Sequence, residues 1–176
     1  MNLPTVLVLA SGRGERFIAS GGGTHKLKAL LSGKPLLQHT LDAVKASGLP
    51  WHLEDAGHPG MGDSIAAAVR ATPAAAGWMV LPGDLPLVQA RTLRELAAAR
   101  PGCDVLVPVY QGRRGHPVRF AARFGAALMA LNGERGAADI ARAAGVTEFE
   151  TGDAGCVTDI DTVQDLQRAA AALSAW

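Results

Sequence analysis

Residues 5–17 read Thr-Val-Leu-Val-Leu-Ala-Ser-Gly-Arg-Gly-Glu-Arg-Phe, an apolar run that ends in small and charged residues. Residues 5–10 are rich in Val and Leu without polar alternation, which is typical of a strand buried on both faces of a parallel sheet. The glycine pair that follows predicts a tight loop at the end of this strand. Such a loop is either a simple strand-to-helix turn or a place where backbone amides converge on an anion such as phosphate.

The pattern of the first strand recurs along the chain, separated by alanine- and leucine-rich stretches of helical character. Strands are predicted at residues 51–54, 78–81, 104–110, 117–120 and 146–151. Helices are predicted at residues 36–46, 64–71, 90–99, 123–131, 137–144 and 162–173. This alternation predicts one three-layer α/β/α Rossmann-like domain over residues 1–176, with a mostly parallel sheet. The Gln-Gly-Arg-Arg-Gly turn at 111–115 predicts a hairpin, so the sheet should be mixed.

Composition limits the classes of function. The chain has 176 residues, 48% of them hydrophobic and 19% charged, and a formal net charge of +1. These values exclude a disordered chain and indicate no strong bias toward nucleic acid or an anionic membrane, although local basic spots stay open. Two cysteines, Cys103 and Cys156, form neither a disulfide framework nor a zinc motif. With no basic leader and no long apolar run at the start, we expect a cytoplasmic protein without a signal peptide or membrane span.

The glycine loop differs from the two common phosphate-binding fingerprints. Phe17 stands where a dinucleotide fingerprint has its third glycine, and no Gly-Lys-Ser/Thr of a P-loop is present. Arg13 and Arg16 lie in the loop, and Lys26 ends the polar, glycine-rich stretch 19–25. A loop with cations at both ends can wrap a triphosphate. We expect Lys26 to be an exposed loop residue, and the alternative is an ordinary surface lysine.

Several motifs in order then resemble one family. Residues 9–17, then Lys26-Leu27, then Gly-Lys-Pro-Leu-Leu-Gln-His-Thr-Leu at 33–41 resemble the nucleotidyltransferases that act on sugar phosphates and on molybdopterin. Four later motifs resemble the molybdenum cofactor cytidylyltransferase branch: Gly-Met-Gly-Asp-Ser-Ile (60–65), Leu-Pro-Gly-Asp-Leu-Pro-Leu-Val (81–88), Gly-Arg-Arg-Gly-His-Pro-Val (112–118) and Asp-Ile-Asp-Thr (159–162).

This resemblance implies an Mg²⁺-dependent enzyme that transfers CMP from CTP to a molybdopterin-type or other phosphate acceptor and releases pyrophosphate. A molybdoenzyme or its chaperone would be a further partner. The resemblance implies roles for residues of this chain: catalytic Arg16, Lys26 and Asp84; nucleotide-binding Ala10, Ser11, Gly12, Arg13, Gly14, Lys26, Gly62 and Ser64; acceptor-binding Arg114 and His116; metal-binding Asp84 and Asp161.

Structural alternatives stay open for these residues. Asp84 ends a predicted strand, where a carboxylate either binds Mg²⁺ or caps the turn before the next helix. Asp161 is either a second metal ligand or, like Thr162, the N-cap of the last helix. Asp63 or Ser64 caps a helix on one reading and contributes to the nucleotide site on the other.

Other functions also stay open. The same chemistry with GTP or on a sugar phosphate is the nearest alternative, and a non-catalytic cofactor-binding relative is another. A nicotinamide-dependent reductase is disfavoured because the third glycine and the acidic residue after a second strand are missing.

The chain departs from the family pattern in three places. Between residues 47 and 60 there is room for one strand, so one βα unit of the family is predicted to be missing. Glu54-Asp55 replaces the family's Asn-Pro, and Glu134 replaces an Asp. These changes leave the acceptor less well determined than the triphosphate.

Overall fold

A computed structural model describes residues 3–174. The strands are β1 (Thr5–Leu9), β2 (Leu30–Leu31), β3 (Lys34–Pro35), β4 (Trp51–Glu54), β5 (Gly77–Pro82), β6 (Val105–Tyr110), β7 (Arg113–Arg114), β8 (Val118–Ala121) and β9 (Thr147–Glu150). The α-helices are α1 (Glu15–Ala19), α2 (Leu36–Ser47), α3 (Met61–Ala71), α4 (Ala90–Ala98), α5 (Gly125–Met129), α6 (Ala138–Ala144) and α7 (Val163–Ser174). Short 3₁₀ turns cover Lys26–Lys28, Ala122–Phe124 and Ala154–Val157.

Seven strands form one mixed sheet in the order β4-β1-β5-β8-β6-β7, with β9 on β6. β1 pairs in parallel with β4 and β5, and β6 pairs in parallel with β9. β8 runs antiparallel to both β5 and β6, and β7 runs antiparallel to β6. Five strands therefore point one way and two the other, which confirms the mixed, mostly parallel sheet and the predicted hairpin.

Helices cover both faces of the sheet. Along β1, alternate residues point to opposite faces, so Val6 and Val8 pack in one apolar cluster while Leu7 and Leu9 pack in the other. α2 and α4 close the first cluster, and α3, α5 and α6 close the second. The continuous apolar run of β1 is thus explained by burial on both sides, and the three-layer prediction is confirmed.

The first helix comes directly after the glycine loop. Phe17, in α1, is buried in a third apolar cluster with Leu27, Leu31 and Ile160, which also receives α7. A Cβ on Gly22 would lie 2.4 Å from the Phe17 ring, so the chain after α1 folds tightly over this side chain. The residue that takes the place of a third glycine is therefore the apolar anchor of the loop.

Two predicted helices have different bounds. α3 begins at Met61 rather than at residue 64, because the Gly-Met-Gly turn is itself the first helical turn. The predicted helix at 123–131 is a 3₁₀ turn followed by the five-residue α5. The sheet ends at β4, and no further strand or helix lies between β4 and α3 in the described chain. That a family βα unit has been lost there stays a prediction.

Across residues 3–174, no helix has both the length and the apolar character needed to cross a membrane.

The end of α4 is held by a buried arginine. Arg119, in β8, is 8% exposed. Its guanidinium donates to the carbonyl oxygens of Leu96 (2.7 Å), Ala97 (3.3 Å), Ala99 (2.6 Å) and Arg100 (3.1 Å). The last carbonyls of a helix have no intrahelical donors and carry partial negative charge. A guanidinium there supplies the missing hydrogen bonds and also offsets that charge.

We expect Arg119→Met to lower the free energy of unfolding by about 2 to 4 kcal/mol, because it leaves buried carbonyls without donors. Urea denaturation followed by circular dichroism measures this loss. Arg123→Met is the control: Arg123 pairs with Asp104 while its side chain is 64% exposed, so its loss should cost under about 1 kcal/mol. Equal losses in the two variants would contradict a special role for Arg119.

Candidate functional site

A cavity of about 750 Å³ opens at the carboxyl ends of β1 and β5. This is the edge at which open α/β sheets bind ligands, and the volume is that of a small-molecule site. Six parts of the chain line it: the glycine loop at 11–14, Lys26, the turn that precedes α3, Asp84, residues 113–116, and the segment with Asp159 and Asp161. Residues predicted to bind the nucleotide and residues predicted to bind the acceptor thus line the same cavity.

An ammonium between two carboxylates forms the centre of the cavity wall. The Nζ atom of Lys26 lies 2.8 Å from Oδ2 of Asp84 and 3.1 Å from Oδ1 of Asp161. The second Asp161 oxygen, Oδ2, lies 2.7 Å from a guanidinium nitrogen of Arg16. Four residues predicted from the sequence therefore form one connected ionic network.

Lys26 is not the exposed loop residue that the sequence predicted. Its side chain is 13% exposed, against 19% for Asp84 and 20% for Asp161. Burial acts to lower the pKa of Lys26, but the charges and hydrogen bonds of Asp84 and Asp161 outweigh it and raise that pKa above its ordinary value. Lys26 therefore stays charged at neutral pH. Its ion pairs with Asp84 and Asp161 stabilise the folded state, and this stabilisation is lost only when the pH rises through the raised pKa of Lys26.

Backbone contacts place the two carboxylates side by side. The amide of Gly83 donates to the Leu9 carbonyl (2.8 Å), and a Cβ on Gly83 would lie 3.0 Å from that oxygen. This close approach sets the turn after β5 against the end of β1, so Asp84 follows directly beside the glycine loop. The amide of Ile160 then donates to the Asp84 carbonyl (3.0 Å), which brings Asp161 to the same wall.

The cap of the last helix is made without the Asp161 side chain. The hydroxyl of Thr162 donates to Oδ2 of Asp165 (2.7 Å), and the Asp165 amide donates back to that hydroxyl (3.1 Å). This reciprocal pair is a capping box. Its hydrogen bonds, that from the Thr162 hydroxyl first, lower the pKa of Asp165. The Asp161 carboxylate takes no part in this cap and pairs instead with Lys26 and Arg16 in the cavity wall.

The glycine loop reaches the cavity with its tip. Ser11, Gly12, Arg13 and Gly14 line the cavity, whereas Ala10 does not. The Ala10 amide donates instead to the Glu54 carbonyl at 2.8 Å, which anchors the loop to β4. Gly14 has φ of 66°, in the left-handed region, so glycine is required there by backbone conformation.

Arginines at the mouth of the loop are solvent-accessible. The Arg16 side chain is 79% exposed even though it contacts Asp161. A guanidinium nitrogen of Arg13 lies 3.7 Å from a carboxylate oxygen of Glu15, and both side chains are largely exposed. Exposed pairs of this kind contribute little stability, so both guanidinium groups can move to meet an incoming anion.

The Gly-Met-Gly turn contributes differently from what its sequence predicted. The Gly62 amide donates to the Gly133 carbonyl (2.9 Å), and a Cβ on Gly62 would lie 2.5 Å from the Arg135 carbonyl oxygen. Gly62 is therefore a packing glycine, and its amide is not free for a nucleotide. Ser64 does line the cavity, with its hydroxyl donating to the Gly60 carbonyl at 3.1 Å. Asp63 accepts from the Gly133 amide (3.1 Å), so neither side chain caps α3.

The opposite wall carries Arg114 and His116. Arg114 is exposed and pairs with Glu148 at 2.8 Å. His116 has a buried Nδ1 atom without a hydrogen-bond partner among the described residues. Burial lowers the pKa of His116 by more than the charges of Asp84 and Asp159 raise it, so the ring is neutral at pH 7. Next to it, burial raises the pKa of the Cys156 thiol, which excludes this cysteine as a thiolate nucleophile.

Sequence reasoning missed two polar residues that shape the site. Glu54 is buried, and its carboxylate accepts from His58 (3.0 Å) and His52 (3.3 Å), while its carbonyl holds the glycine loop. His25 bonds to the Gly12 carbonyl at 2.6 Å. The position of Glu54 at the end of a strand next to β1, like that of Asp84, is the signal that would have identified it. Nothing in the sequence around His25 indicates its partner.

Among residues 3–174 no group of three or more histidine, cysteine or acidic side chains is arranged as a ready metal site. A metal ion here would have two protein carboxylates at most and would need further oxygens from a ligand or water.

Comparison with known proteins agrees with this geometry. The family model "MobA-like NTP transferase domain" matches residues 43–148. A curated relative, the bifunctional protein GlmU of Xylella fastidiosa, is 30% identical over a match that covers 61% of this chain and 28% of GlmU. The chain thus spans little more than a quarter of the length of that relative.

Solved structures share the fold over nearly the whole chain. Rv0371c from Mycobacterium tuberculosis H37Rv superposes with a TM-score of 0.80 at 23% identity, covering 97% of this chain and 98% of that one. Rv0371c has also been solved in complex with manganese. Molybdopterin-guanine dinucleotide biosynthesis protein A from Archaeoglobus fulgidus superposes with a TM-score of 0.71 at 23% identity, over 98% of this chain and 100% of that one. With the family model matching well over half of its residues, the chain belongs to the MobA-like NTP transferase domain family.

Proposed function

We propose that this chain transfers CMP from CTP to a molybdopterin-type phosphate acceptor and releases pyrophosphate. The observation that carries the proposal is the Lys26 ammonium held between Asp84 and Asp161 beside the glycine loop. An NTP transferase needs a site at which cations and a pair of carboxylates lie beside the phosphates of the bound nucleotide.

The reaction joins two phosphates without a covalent enzyme intermediate. A phosphate oxygen of the acceptor attacks the α-phosphorus of the triphosphate in line, the bond from that phosphorus to the α–β bridging oxygen breaks, and pyrophosphate carries the electron pair away. A phosphoanhydride between acceptor and CMP is formed. Catalysis of this kind depends on positioning and charge neutralisation rather than on a nucleophilic side chain.

Residues of the loop supply the positioning. Backbone groups of Ser11 to Gly14 line the cavity together with Lys26, so a triphosphate laid along the loop has the ammonium at its far end. Arg16 is exposed and can leave Asp161 to face the phosphates. As negative charge develops on the leaving pyrophosphate, these two cations would stabilise it.

The charge balance favours a divalent metal ion. Lys26 and Arg16 carry two positive charges, and Asp84 and Asp161 carry two negative ones, so the network is neutral before the nucleotide binds. A triphosphate adds negative charge that these side chains do not offset. Asp84 and Asp161 already share one cation, and Mg²⁺ takes one or two carboxylates plus phosphate oxygens, so the residues fit this ion. When bound, it would neutralise phosphate charge and polarise the α-phosphate.

Size and hydrogen bonding favour CTP. A pyrimidine is smaller than a purine and suits a pocket closed by the glycine loop and by the turn that precedes α3. Ser64 lines this pocket with its hydroxyl hydrogen donated to the Gly60 carbonyl, so a base group that reached its oxygen would meet an acceptor, which favours the amine of cytosine over the carbonyl of uracil. The fold neighbour from Archaeoglobus fulgidus is named for a guanine dinucleotide, which makes GTP the competitor that must be tested.

In this proposal the acceptor binds at the wall that carries Arg114. An exposed guanidinium there can pair with an acceptor phosphate, and the neutral His116 ring can hydrogen-bond but not neutralise it. The name of the Archaeoglobus neighbour supports molybdopterin as the acceptor.

We expect pyrophosphate release to be faster with CTP than with GTP, ATP or UTP, and to require molybdopterin cofactor together with Mg²⁺ or Mn²⁺. The assay measures pyrophosphate with each triphosphate, with and without the acceptor. Comparable rates with CTP and GTP would move the assignment to the wider family, and absence of turnover with every triphosphate and acceptor would refute transferase function.

We expect Asp84→Asn to reduce turnover at least about a hundredfold and to weaken metal-dependent nucleotide binding, because an amide lacks the charge that Mg²⁺ requires. Turnover and isothermal titration calorimetry check both effects. Asp42→Asn, which removes an exposed carboxylate that pairs with Lys34 on the surface, is the matched control and should keep parental turnover. If Asp84→Asn turns over normally at limiting Mg²⁺, Asp84 is structural.

We expect Lys26→Met to lower the free energy of unfolding by about 1 to 3 kcal/mol without metal, because the ammonium between Asp84 and Asp161 is lost and the largely exposed Arg16 beside Asp161 offsets little of their repulsion. Mg²⁺ or Mn²⁺ should raise the melting temperature of this variant more than that of the parent, since the ion replaces the ammonium. Turnover should stay low at any metal concentration. Lys28→Met, an exposed lysine of the same 3₁₀ turn, should show neither effect, and an identical metal response in both variants would exclude a shared cation site.

A further inference from the structure

We propose that His25 is a positioning residue whose neutral imidazole ties the glycine loop to the turn that carries Lys26. It thereby holds the phosphate-binding part of the cavity in shape before the nucleotide arrives. This inference rests on the proposed function, in which the loop and Lys26 bind the same triphosphate.

The hydrogen bonds of His25 define a single tautomer. The Leu27 amide donates to Nδ1 at 3.3 Å, and Nε2 lies 2.6 Å from the Gly12 carbonyl oxygen. A backbone amide can only donate, so Nδ1 carries no hydrogen. A carbonyl can only accept, so Nε2 carries the hydrogen and donates it. Both ring nitrogens are thus engaged in the neutral form, one on each side of the gap between loop and turn.

Few hydrogen bonds hold the loop tip. Among residues 3–174 the hydrogen bond from His25 is the one that Gly12 makes, and a Cβ on Gly12 would have open space within 4 Å. The Ser11 hydroxyl donates to the Glu54 carbonyl (3.4 Å), and the Ile18 amide donates to the Gly14 carbonyl (3.1 Å), but neither bond reaches the turn that carries Lys26. At Gly14 the loop comes close to that turn, because a Cβ there would lie 3.1 Å from Cβ of Lys26. Within the described residues, His25 therefore supplies the hydrogen bond that joins the loop to the turn.

This link connects the two halves of the phosphate site. The turn after His25 is fixed from the other side, since Lys26 is bonded to Asp84 and Asp161. By holding the Gly12 carbonyl, His25 sets the position of the loop amides relative to the Lys26 ammonium. A loop already held in its binding shape loses less conformational entropy when the ligand binds, and it places the phosphates more accurately.

Two substitutions separate this role from simple capping of the 3₁₀ turn. His25 is also the N-cap residue of that turn, through the bond from the Leu27 amide. Asparagine is a good cap and its amide oxygen can accept from the backbone two residues on, but its shorter side chain does not span to Gly12. His25→Asn therefore keeps the cap and removes the link, whereas His25→Ala removes both.

For His25→Asn we expect the KM for the triphosphate to rise about tenfold, the size of one lost hydrogen bond, with a smaller change in kcat and a parental melting temperature. His25→Ala should show the same rise in KM together with a lower melting temperature. A parental KM in His25→Asn would overturn the proposal. So would a KM that rises only in the variant whose melting temperature falls, because capping alone would then explain the effect.

A second measurement does not depend on transferase activity. NMR order parameters of the backbone amides of residues 11–14 in the nucleotide-free protein should be lower in His25→Asn than in the parent, with unchanged values in β1. If the parent turns over no triphosphate, the proposed function fails, and this measurement alone decides whether His25 holds the loop. Unchanged order parameters at residues 11–14 would overturn the proposal in either case.

Discussion

A single ammonium group lets three distant parts of the chain share one wall of the cavity. Asp84 follows β5, Asp161 precedes α7, and both carboxylates lie within 3.1 Å of the Lys26 nitrogen. Two like charges in a partly buried cavity repel each other, and the ammonium between these carboxylates offsets that repulsion. The charge of Lys26 therefore holds the two carboxylates together, and any metal ion that binds the pair must displace the lysine or share the carboxylates with it.

Backbone packing supplies the precision that this ionic network needs. A Cβ on Gly62 would lie 2.5 Å from the Arg135 carbonyl oxygen, closer than real Cβ atoms approach, and a Cβ on Gly83 would lie 3.0 Å from the Leu9 carbonyl oxygen, a very tight contact. Gly155 is equally constrained, because a Cβ there would lie 2.0 Å from the Leu87 carbonyl oxygen. Each glycine lets one strand end or turn approach another backbone directly. These glycines thus position the backbone that surrounds the cavity, while Gly12 and Gly14 line the cavity itself.

The fold was largely predictable because its main signals are local. The continuous apolar residues of β1, β5 and β6 predict burial on both faces of the sheet, and this prediction needs no information from any other part of the chain. Asp84 was predictable for the same reason, since a carboxylate at the carboxyl end of a buried strand has few other places to face.

The pairing of Lys26 with Asp161 was not predictable from spacing, because it depends on the hydrogen bond from the Ile160 amide to the Asp84 carbonyl, which aligns the segment before α7. The capping box of Thr162 and Asp165 was overlooked, although its three-residue spacing is a recognised signal. His25 gave no signal, since its role depends on a contact between residues that are 13 apart in the sequence, with α1 between them.

The charge on the cavity wall that carries Arg114 and His116 comes from arginine rather than histidine. His116 lies near Asp84 and Asp159, whose charges favour the imidazolium, yet desolvation dominates and keeps its pKa low. Protonating the buried ring would place a charge where its Nδ1 has no partner among the described residues to stabilise it. A negatively charged ligand on this side therefore meets Arg114, which is exposed and paired with the surface residue Glu148, and Arg113, which donates to the Val157 carbonyl at 3.2 Å. Because arginine stays charged at every physiological pH, attraction of an anion to this wall should not depend on the protonation of His116.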